Sequence, residues 1–268
     1  ALLADSFNVA NTMPNIIYNL MVGGALTAIF VPQLVKSKSD ADGGLDFASR
    51  LVTTISLILG ALVIIGVIFA PALVRIYAPE FSEPGFEHIY ELTLAMMRIC
   101  LPQIFFLGLF TMLGQVANSR GSFAPMMWAP IANNLVGIAL LSYFIILVPK
   151  FTAETITDAQ VAILGWGTTA GVIVQALLVI PAVKKTGFHL KIRFGLHGLG
   201  KSFSLAGWTL VYVLISQLGY LVTVSVATSA AVRSAQAGIT TGVGITPFQN
   251  AYYVMMLPYG IVTISLIT

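Results

Sequence analysis

The sequence predicts an all-α, polytopic membrane protein, and three observations carry that prediction. The 268 residues are 57% hydrophobic and 9% charged, where soluble domains hold about 45–50% apolar and about 25% charged residues. Mean hydropathy is +0.93. The apolar residues fall in long runs, and a bilayer core needs about 20 such residues in helical form. These runs are too continuous for barrel strands of about 9–11 residues. So few charges cannot solvate a soluble surface, which excludes a soluble enzyme. So much apolar surface excludes disorder. A single cysteine, Cys100, leaves no intrachain disulfide and no thiolate metal cluster. The chain opens on Ala1 inside an apolar run with no basic n-region. It reads as a fragment, and no signal peptide is read from it.

Seven segments are expected to span: roughly Ala1–Val35, Arg50–Ile76, Leu92–Ala117, Pro125–Val148, Ile156–Val183, Ser204–Thr228 and Pro247–Thr268, the last cut short. Alternation assigns the loops between them to two sides. Loops 36–50, 118–125 and 184–201 hold Lys36, Lys38, Arg50, Arg120, Lys184, Lys185, Lys191, Arg193 and Lys201, nine of the thirteen basic residues. Loops 76–91, 149–158 and 229–248 hold Lys150 and Arg233, with Arg75 at their edge. They also hold Glu80, Glu83, Glu87, Glu91, Glu154 and Asp158. The positive-inside rule makes the first side cytoplasmic. The first segment then runs from outside to inside, and a preceding span is expected if the native amino terminus is cytoplasmic. No linker marks a second soluble domain. Residues 188–203 alternate Phe188, Leu190, Ile192 and Phe194 with His189, Lys191 and Arg193. That pattern suits a segment at the cytoplasmic interface or a plain solvated loop.

The first segment carries the informative polar residues. Asp5, Asn8, Thr12, Asn15 and Asn19 are spaced 3, 4, 3 and 4, which at about 100° per residue puts them on one helix face. Asn11 borders that face. Such a stripe cannot face lipid, where each unsatisfied polar group is costly. It faces either another helix or a hydrated cavity, and four Asn with an Asp favour the cavity. Asp5 is the only acid well inside a segment, Asp158 lying at the edge of its own, and Arg98 is the only base well within one. They pair, face the cavity separately, or, for Arg98, snorkel to the outer interface. Gln115, Asn118, Asn133, Asn134, Gln175 and Gln217 read as packing residues, with Gln217 kept also as a cavity candidate. Gly167-x-x-x-Gly171 is a small-residue helix-packing pattern. Prolines and glycines inside spans, such as Pro14, Pro102, Pro130 and Pro258, suit bent helices.

Other motifs carry no chemistry. Gly195 to Ser202 matches the phosphate-loop pattern GxxxxGK[ST]. The pattern needs a strand before it and a downstream acid for magnesium. No Asp or Glu follows Asp158. What survives is an expectation that this helix start and Lys201 hold an anionic lipid headgroup. His88, His189 and His197 lie outside the spans without metal-ligand spacing. No nucleophilic arrangement is found, so no enzyme, cofactor or metal site is expected. The basic residues form no patch for nucleic acid.

Ala4-Asp-Ser-Phe-Asn-Val-Ala-Asn-Thr-Met-Pro-Asn-Ile-Ile, followed by Gly24-Ala-Leu-Thr-Ala-Ile-Phe-Val-Pro32, resembles the MurJ/MviN lipid II flippases of the multidrug/oligosaccharidyl-lipid/polysaccharide exporter superfamily. Leu101-Pro-Gln-Ile, Asn118-Ser-Arg-Gly-Ser-Phe-Ala, Ala129-Pro-Ile-Ala-Asn-Asn and Tyr252 through Gly260 extend the resemblance over essentially the whole chain. It looks similar to an actinobacterial branch. The resemblance implies a two-lobe transporter of about fourteen helices, of which this chain carries helices two to eight. Residues 1–185 would belong to the N-terminal lobe, 186–203 to a cytoplasmic interfacial linker and 204–268 to the start of the C-terminal lobe. It implies carriage of lipid II from inner to outer leaflet of the bacterial inner membrane by alternating access. The driving force would be either the membrane potential or a coupled cation, proton or sodium, and cell-wall synthesis proteins are candidate partners. Asp5 matches the family's acid in helix two. The family's Arg-Arg after the Pro-Asn pair is Tyr18-Asn19 here, its Glu before Gly-Ala is Gly23, and its eighth-helix Arg is Tyr253. The expected cavity residues are therefore Asp5, Asn8, Asn11, Asn15, Tyr18, Asn19 and Tyr253, with Gln217 and Arg98. They would hydrogen-bond sugar and phosphate oxygens without the charge assistance of arginine. The alternatives are a drug or metabolite cation antiporter of the same superfamily, and a transport-inactive scaffold for cell-wall assembly.

Overall fold

A computed structural model describes residues 2–18, 33–149, 152–195, 200–239 and 242–267, with the side chains of 200–210, 213–214 and 259–267 left aside. Among the described residues the regular structure is helical. In chain order the helices are α1 (Leu2–Tyr18), α2 (Leu45–Tyr77), a 3₁₀ turn (Pro79–Ser82), α3 (Glu87–Cys100), α4 (Gln103–Ser119), α5 (Ala124–Leu147), α6 (Asp158–Lys185), α7 (Gly200–Gln236) and α8 (Ile245–Ile267). Five stretches among the described residues are long and apolar enough to cross a membrane: Leu45–Ile68, Glu87–Ser119, Ala124–Leu147, Asp158–Lys185 and Ile215–Gln236.

The segment expected at Leu92–Ala117 is two helices, α3 and α4, meeting at Leu101 and Pro102. Pro102 has no N–H to give to the preceding turn, so the ladder breaks there. Thr169 Oγ1 donates to the Ile99 carbonyl at 3.0 Å beside the break. α6 begins on a capping box, in which Gln160 N–H donates to Thr157 Oγ1 and Thr157 N–H donates to Gln160 Oε1, satisfying donors that a helix start leaves open. It ends on Lys184 and Lys185, which suit the negative end of the helix dipole. α2 holds 33 residues, about 50 Å at 1.5 Å per residue. That exceeds a hydrocarbon core of about 30 Å.

The α3–α4 span is the centre of the bundle. Of its apolar stretch 72% is buried, against 6% for α5, so α5 leaves nearly all of its apolar surface outside the bundle. Met96, Met97, Leu101, Ile104 and Met112 are fully buried within the centre. α5 packs along α6 where α6 has no side chains. A Cβ on Gly167 would meet the Leu140 side chain, and one on Gly171 would meet Asn133. The spacing of these two glycines therefore does what the sequence predicts of it.

The loops gather at two ends. At one end Arg120 donates to the Gly43 carbonyl at 2.8 Å and lies 5.8 Å from the Phe188 ring centroid. This joins the loops at 36–50, 118–125 and 184–195. At the other end His88 Nε2 lies 2.7 Å from the Ala153 carbonyl, and Ser229 hydrogen-bonds Glu80. The basic loops thus share one end and the acidic loops the other. The basic end is called inner below, by the positive-inside rule. Residues 188–195 carry no regular secondary structure and lie against the inner end of α2. Lys191 N–H and Arg193 N–H meet Ser49 and Thr53, and Arg193 pairs with Asp46 at 3.6 Å. Leu190, Ile192 and Phe194 are exposed along with His189, Lys191 and Arg193, whereas Phe188 is buried.

Candidate functional site

The polar face of α1 is where the bundle α1–α6 meets the pair α7–α8. Its residues divide by depth. At the outer end Asp5 is fully buried and sits against the first turn of α8. Thr246 N–H donates to Asp5 Oδ1 at 2.9 Å, and Thr246 Oγ1 donates to the same oxygen at 2.6 Å. The Thr246 hydroxyl in turn accepts from Asn8 Nδ2 at 2.8 Å. The carboxylate therefore takes one of the N–H groups that a helix start leaves open, at the positive end of the helix dipole. Gly244, just before the helix, makes this approach possible. Its φ is +127°, and a Cβ there would run into the Asp5 carboxylate. Asp5 Oδ2 is buried with no hydrogen-bond partner among the described residues.

Two turns further in, Gln249 Nε2 donates to Thr12 Oγ1 at 3.5 Å and to Tyr220 Oη at 2.7 Å. At the outer rim the bond between Ser229 of α7 and Glu80 of the 3₁₀ turn adds a second carboxylate across the same seam. Asp5 to Thr12 spans about 10 Å along the helix. That is the length of α1 over which the two groups of helices are hydrogen-bonded.

Below Thr12 no hydrogen bond joins them among the described residues. Asn15 is exposed, and its amide reaches only the Asn11 carbonyl of its own helix, at 3.4 Å. On the facing helices nearly every residue from Asn250 to Pro258 is exposed, with Tyr253 61% accessible. Gln217 of α7 is half-buried, with its Oε1 lacking a partner. The seam is thus hydrogen-bonded at its outer end, and among the described residues Asn15, Gln217 and Tyr253, further in, have no hydrogen bond across it.

The remaining expected residues take other places. Asn11 Oδ1 accepts from Gln103 Nε2 at 3.2 Å, and the same amide donates to Thr169 Oγ1 at 3.2 Å. Tyr18 hydrogen-bonds Thr111 of α4. These two tie α1 to its own bundle. Arg98 is exposed on the α3 face that carries Glu91 and Ala95, while Asp5 is bonded to Thr246, so the two do not pair. Asn19 and the side chain of Lys201 lie outside the described residues. Thr246, Gln249, Tyr220, Glu80 and Ser229 carry the seam and were not singled out from sequence. The one available signal was a lone intramembrane acid with a Gly-Val-Gly turn and a helix start, Gly242 to Ile245, elsewhere in the chain. Among the described residues no three His, Cys, Asp or Glu side chains gather as a metal site. The site's chemistry is neutral amide and hydroxyl hydrogen bonding, with the buried Asp5 and the half-buried Glu80 at its outer end.

Residues 1–268 match the family described as "Lipid II flippase MurJ". A "Probable lipid II flippase MurJ" of Rickettsia prowazekii (strain Madrid E) is 29% identical over 196 residues, 72% of this chain and 36% of that protein. The "Lipid II flippase MurJ" of Burkholderia cenocepacia is 29% identical over 185 residues, 68% of this chain and 33% of that protein. A solved structure titled "Lipid II flippase MurJ, inward closed conformation" superposes with a TM-score of 0.69 at 20% identity, covering 97% of this chain and 50% of that one. At that identity the likeness establishes the fold. The chain spans about a third of the length of these curated relatives. With the family matched from end to end, and with the fold in agreement, the chain belongs to the MurJ lipid II flippase family.

Proposed function

We propose that this chain is part of a flippase of the bacterial inner membrane that carries lipid II, the lipid-linked peptidoglycan precursor, from the inner to the outer leaflet. The observation that carries the reading is the asymmetry of the cleft. It is hydrogen-bonded at Asp5, Asn8 and Thr12, and among the described residues Asn15, Gln217 and Tyr253 have no such bond across it. A headgroup entering from the inner leaflet meets amides and phenols that exchange hydrogen bonds with sugar hydroxyls and phosphate oxygens. The polyprenyl tail stays in lipid beside α7 and α8. Rocking of the two groups of helices about the midplane would open the outer seam and close the inner mouth.

The energetics suit such a switch. Five hydrogen bonds cross the seam: Thr246 N–H and Thr246 Oγ1 to Asp5, Asn8 to Thr246, Gln249 to Thr12 and Ser229 to Glu80. At about 0.6 kcal/mol for an interhelical contact in a membrane, the set holds the seam by about 3 kcal/mol. Two conformations separated by a few kcal/mol interconvert and are biased by ligand. An apolar seam of the same area would close more permanently.

The test is depletion of the full-length protein in its own host, followed by an outer-face probe for lipid II. The reading expects lipid II to accumulate and stay inaccessible from outside. Lipid II that still reaches the outer leaflet at the normal rate, in a host with no second flippase, overturns it. Cation antiport and scaffolding would then be the readings to pursue.

A further inference from the structure

A groove of about 750 Å³ lies at the inner end, between the α4–α5 turn, the start of α5 and the end of α6, and shares no lining residue with the α7–α8 seam. Its walls are apolar and lipid-facing. Trp128 is 69% and Leu178 51% exposed, and α5 buries almost nothing of its length. Its inner rim carries Arg120 and Lys185, and no acid lines it.

These cations are not spent on acids. The ion pairs among the described residues join Arg50 and Arg193 to Asp46. Asp42, the acid whose charge is felt by Arg120, has both oxygens taken by its own turn, from Gly44 N–H at 2.9 Å and Asp46 N–H at 2.6 Å. Arg120 is fixed rather than neutralised. One Nη–H is on the Gly43 carbonyl and the guanidinium lies over the Phe188 ring, leaving other donors of its planar fork for an oxyanion. Cations at the inner headgroup level, an apolar channel running from them along two membrane-crossing helices, and a tryptophan where interfacial aromatics sit make up the footprint of a lipid. A water-soluble anion would have no use for the channel.

We propose that this groove binds an anionic phospholipid of the inner leaflet. The headgroup phosphate is held by Arg120 and Lys185, and an acyl chain lies along Leu178 and Pro181 past Trp128. The site is separate from the cleft and does not depend on the transported substrate.

The test uses the purified protein carrying Trp128 as its sole tryptophan, reconstituted in vesicles. Quenching by brominated phosphatidylglycerol is compared with quenching by brominated phosphatidylcholine. One cation near the surface favours an anionic lipid by roughly fivefold, so the phosphatidylglycerol preference at Trp128 should be about fivefold or more. Lys185→Gln should lower it by roughly fivefold and Lys185→Glu further, while quenching by phosphatidylcholine stays as it was. Among the described residues the Lys185 side chain makes no hydrogen bond or ion pair, so the pair of variants acts chiefly through its charge. Lys38→Gln, on the same side but outside the groove, should leave the preference intact. Equal quenching by the two lipids in the parent, an unchanged preference in both Lys185 variants, or a loss on Lys38→Gln as large as on Lys185→Gln would each overturn the site.

Discussion

Replacing Asp5 with alanine is expected to loosen the outer seam by a calculable amount. The carboxylate accepts two hydrogen bonds from Thr246, at 2.9 and 2.6 Å. Alanine leaves the Thr246 N–H without an acceptor at the start of α8. At the membrane average of about 0.6 kcal/mol per interhelical contact the loss is about 1.2 kcal/mol. At about 1.5 kcal/mol each, the low end for bonds to a charged group, it is about 3 kcal/mol. With about 1.36 kcal/mol per factor of ten, the open fraction of the seam rises about 8-fold to about 150-fold. Val9 is 2% exposed and lines the seam. A Val9→Cys variant should react with a membrane-impermeant maleimide from the outer side in proportion to that open fraction. Native Cys100 is buried and should remain silent. A change below about twofold on adding Asp5→Ala would refute the reasoning that Asp5 latches the two groups of helices.

Three further outcomes follow from the same geometry. Gly244→Ala puts a Cβ into the Asp5 carboxylate at a φ of +127°, so it should reproduce the faster Val9→Cys labelling although Asp5 is intact. Labelling at the parent rate would contradict it. Gln103→Leu removes the donor shared by Asn11 and Thr169, two contacts of about 0.6 kcal/mol each, and should lower the melting temperature by a few degrees without changing Val9→Cys labelling. Asp42 titrates below the usual carboxylate range, held there chiefly by the Asp46 N–H and further by the Gly44 N–H and the Arg120 charge. Because the folded value is depressed, its contribution is present above the ordinary carboxylate pKa and is lost as pH falls through the folded value. Melting of parent and Asp42→Asn should therefore differ near pH 6 and converge toward pH 3, and a gap that widens on acidification would go against the assignment.

What the sequence disclosed follows from the kind of signal involved. The apolar runs and the sidedness of the basic loops depend on composition over many residues, so they survive small errors of boundary. The loops of each side meet at one end of the structure, through Arg120 and Gly43 at the inner end and Ser229 and Glu80 at the outer. Pro102 did signal a bend, and the break at Leu101 and Pro102 realises it. The face formed by Asp5, Asn8, Thr12 and Asn15 was legible because helical spacing alone defines it. The division of that face was not. Whether an asparagine binds a neighbour or meets the cleft depends on what stands opposite, and Thr246, Gln249 and Tyr220 are more than 200 residues away in sequence. Asp5 and Arg98 illustrate the same point, since their charges left a pair open and their helices turn them to different surroundings. Glu80 read as one acid among several in an outer loop. Only the packing of the 3₁₀ turn on α7 sets it against Ser229.

The most direct test of alternating access through this cleft is to lock the seam. Thr12 and Gln249 face each other across it, 3.5 Å apart at their side-chain ends, and neither bonds to Asp5. A Thr12→Cys/Gln249→Cys pair in the full-length protein, joined by a short reducible thiol cross-linker, holds the outer end closed. The account predicts that the lipid II reaching an outer-face probe falls to the depleted background on cross-linking and recovers when reductant is added. Export by the locked protein at the unlocked rate would contradict it.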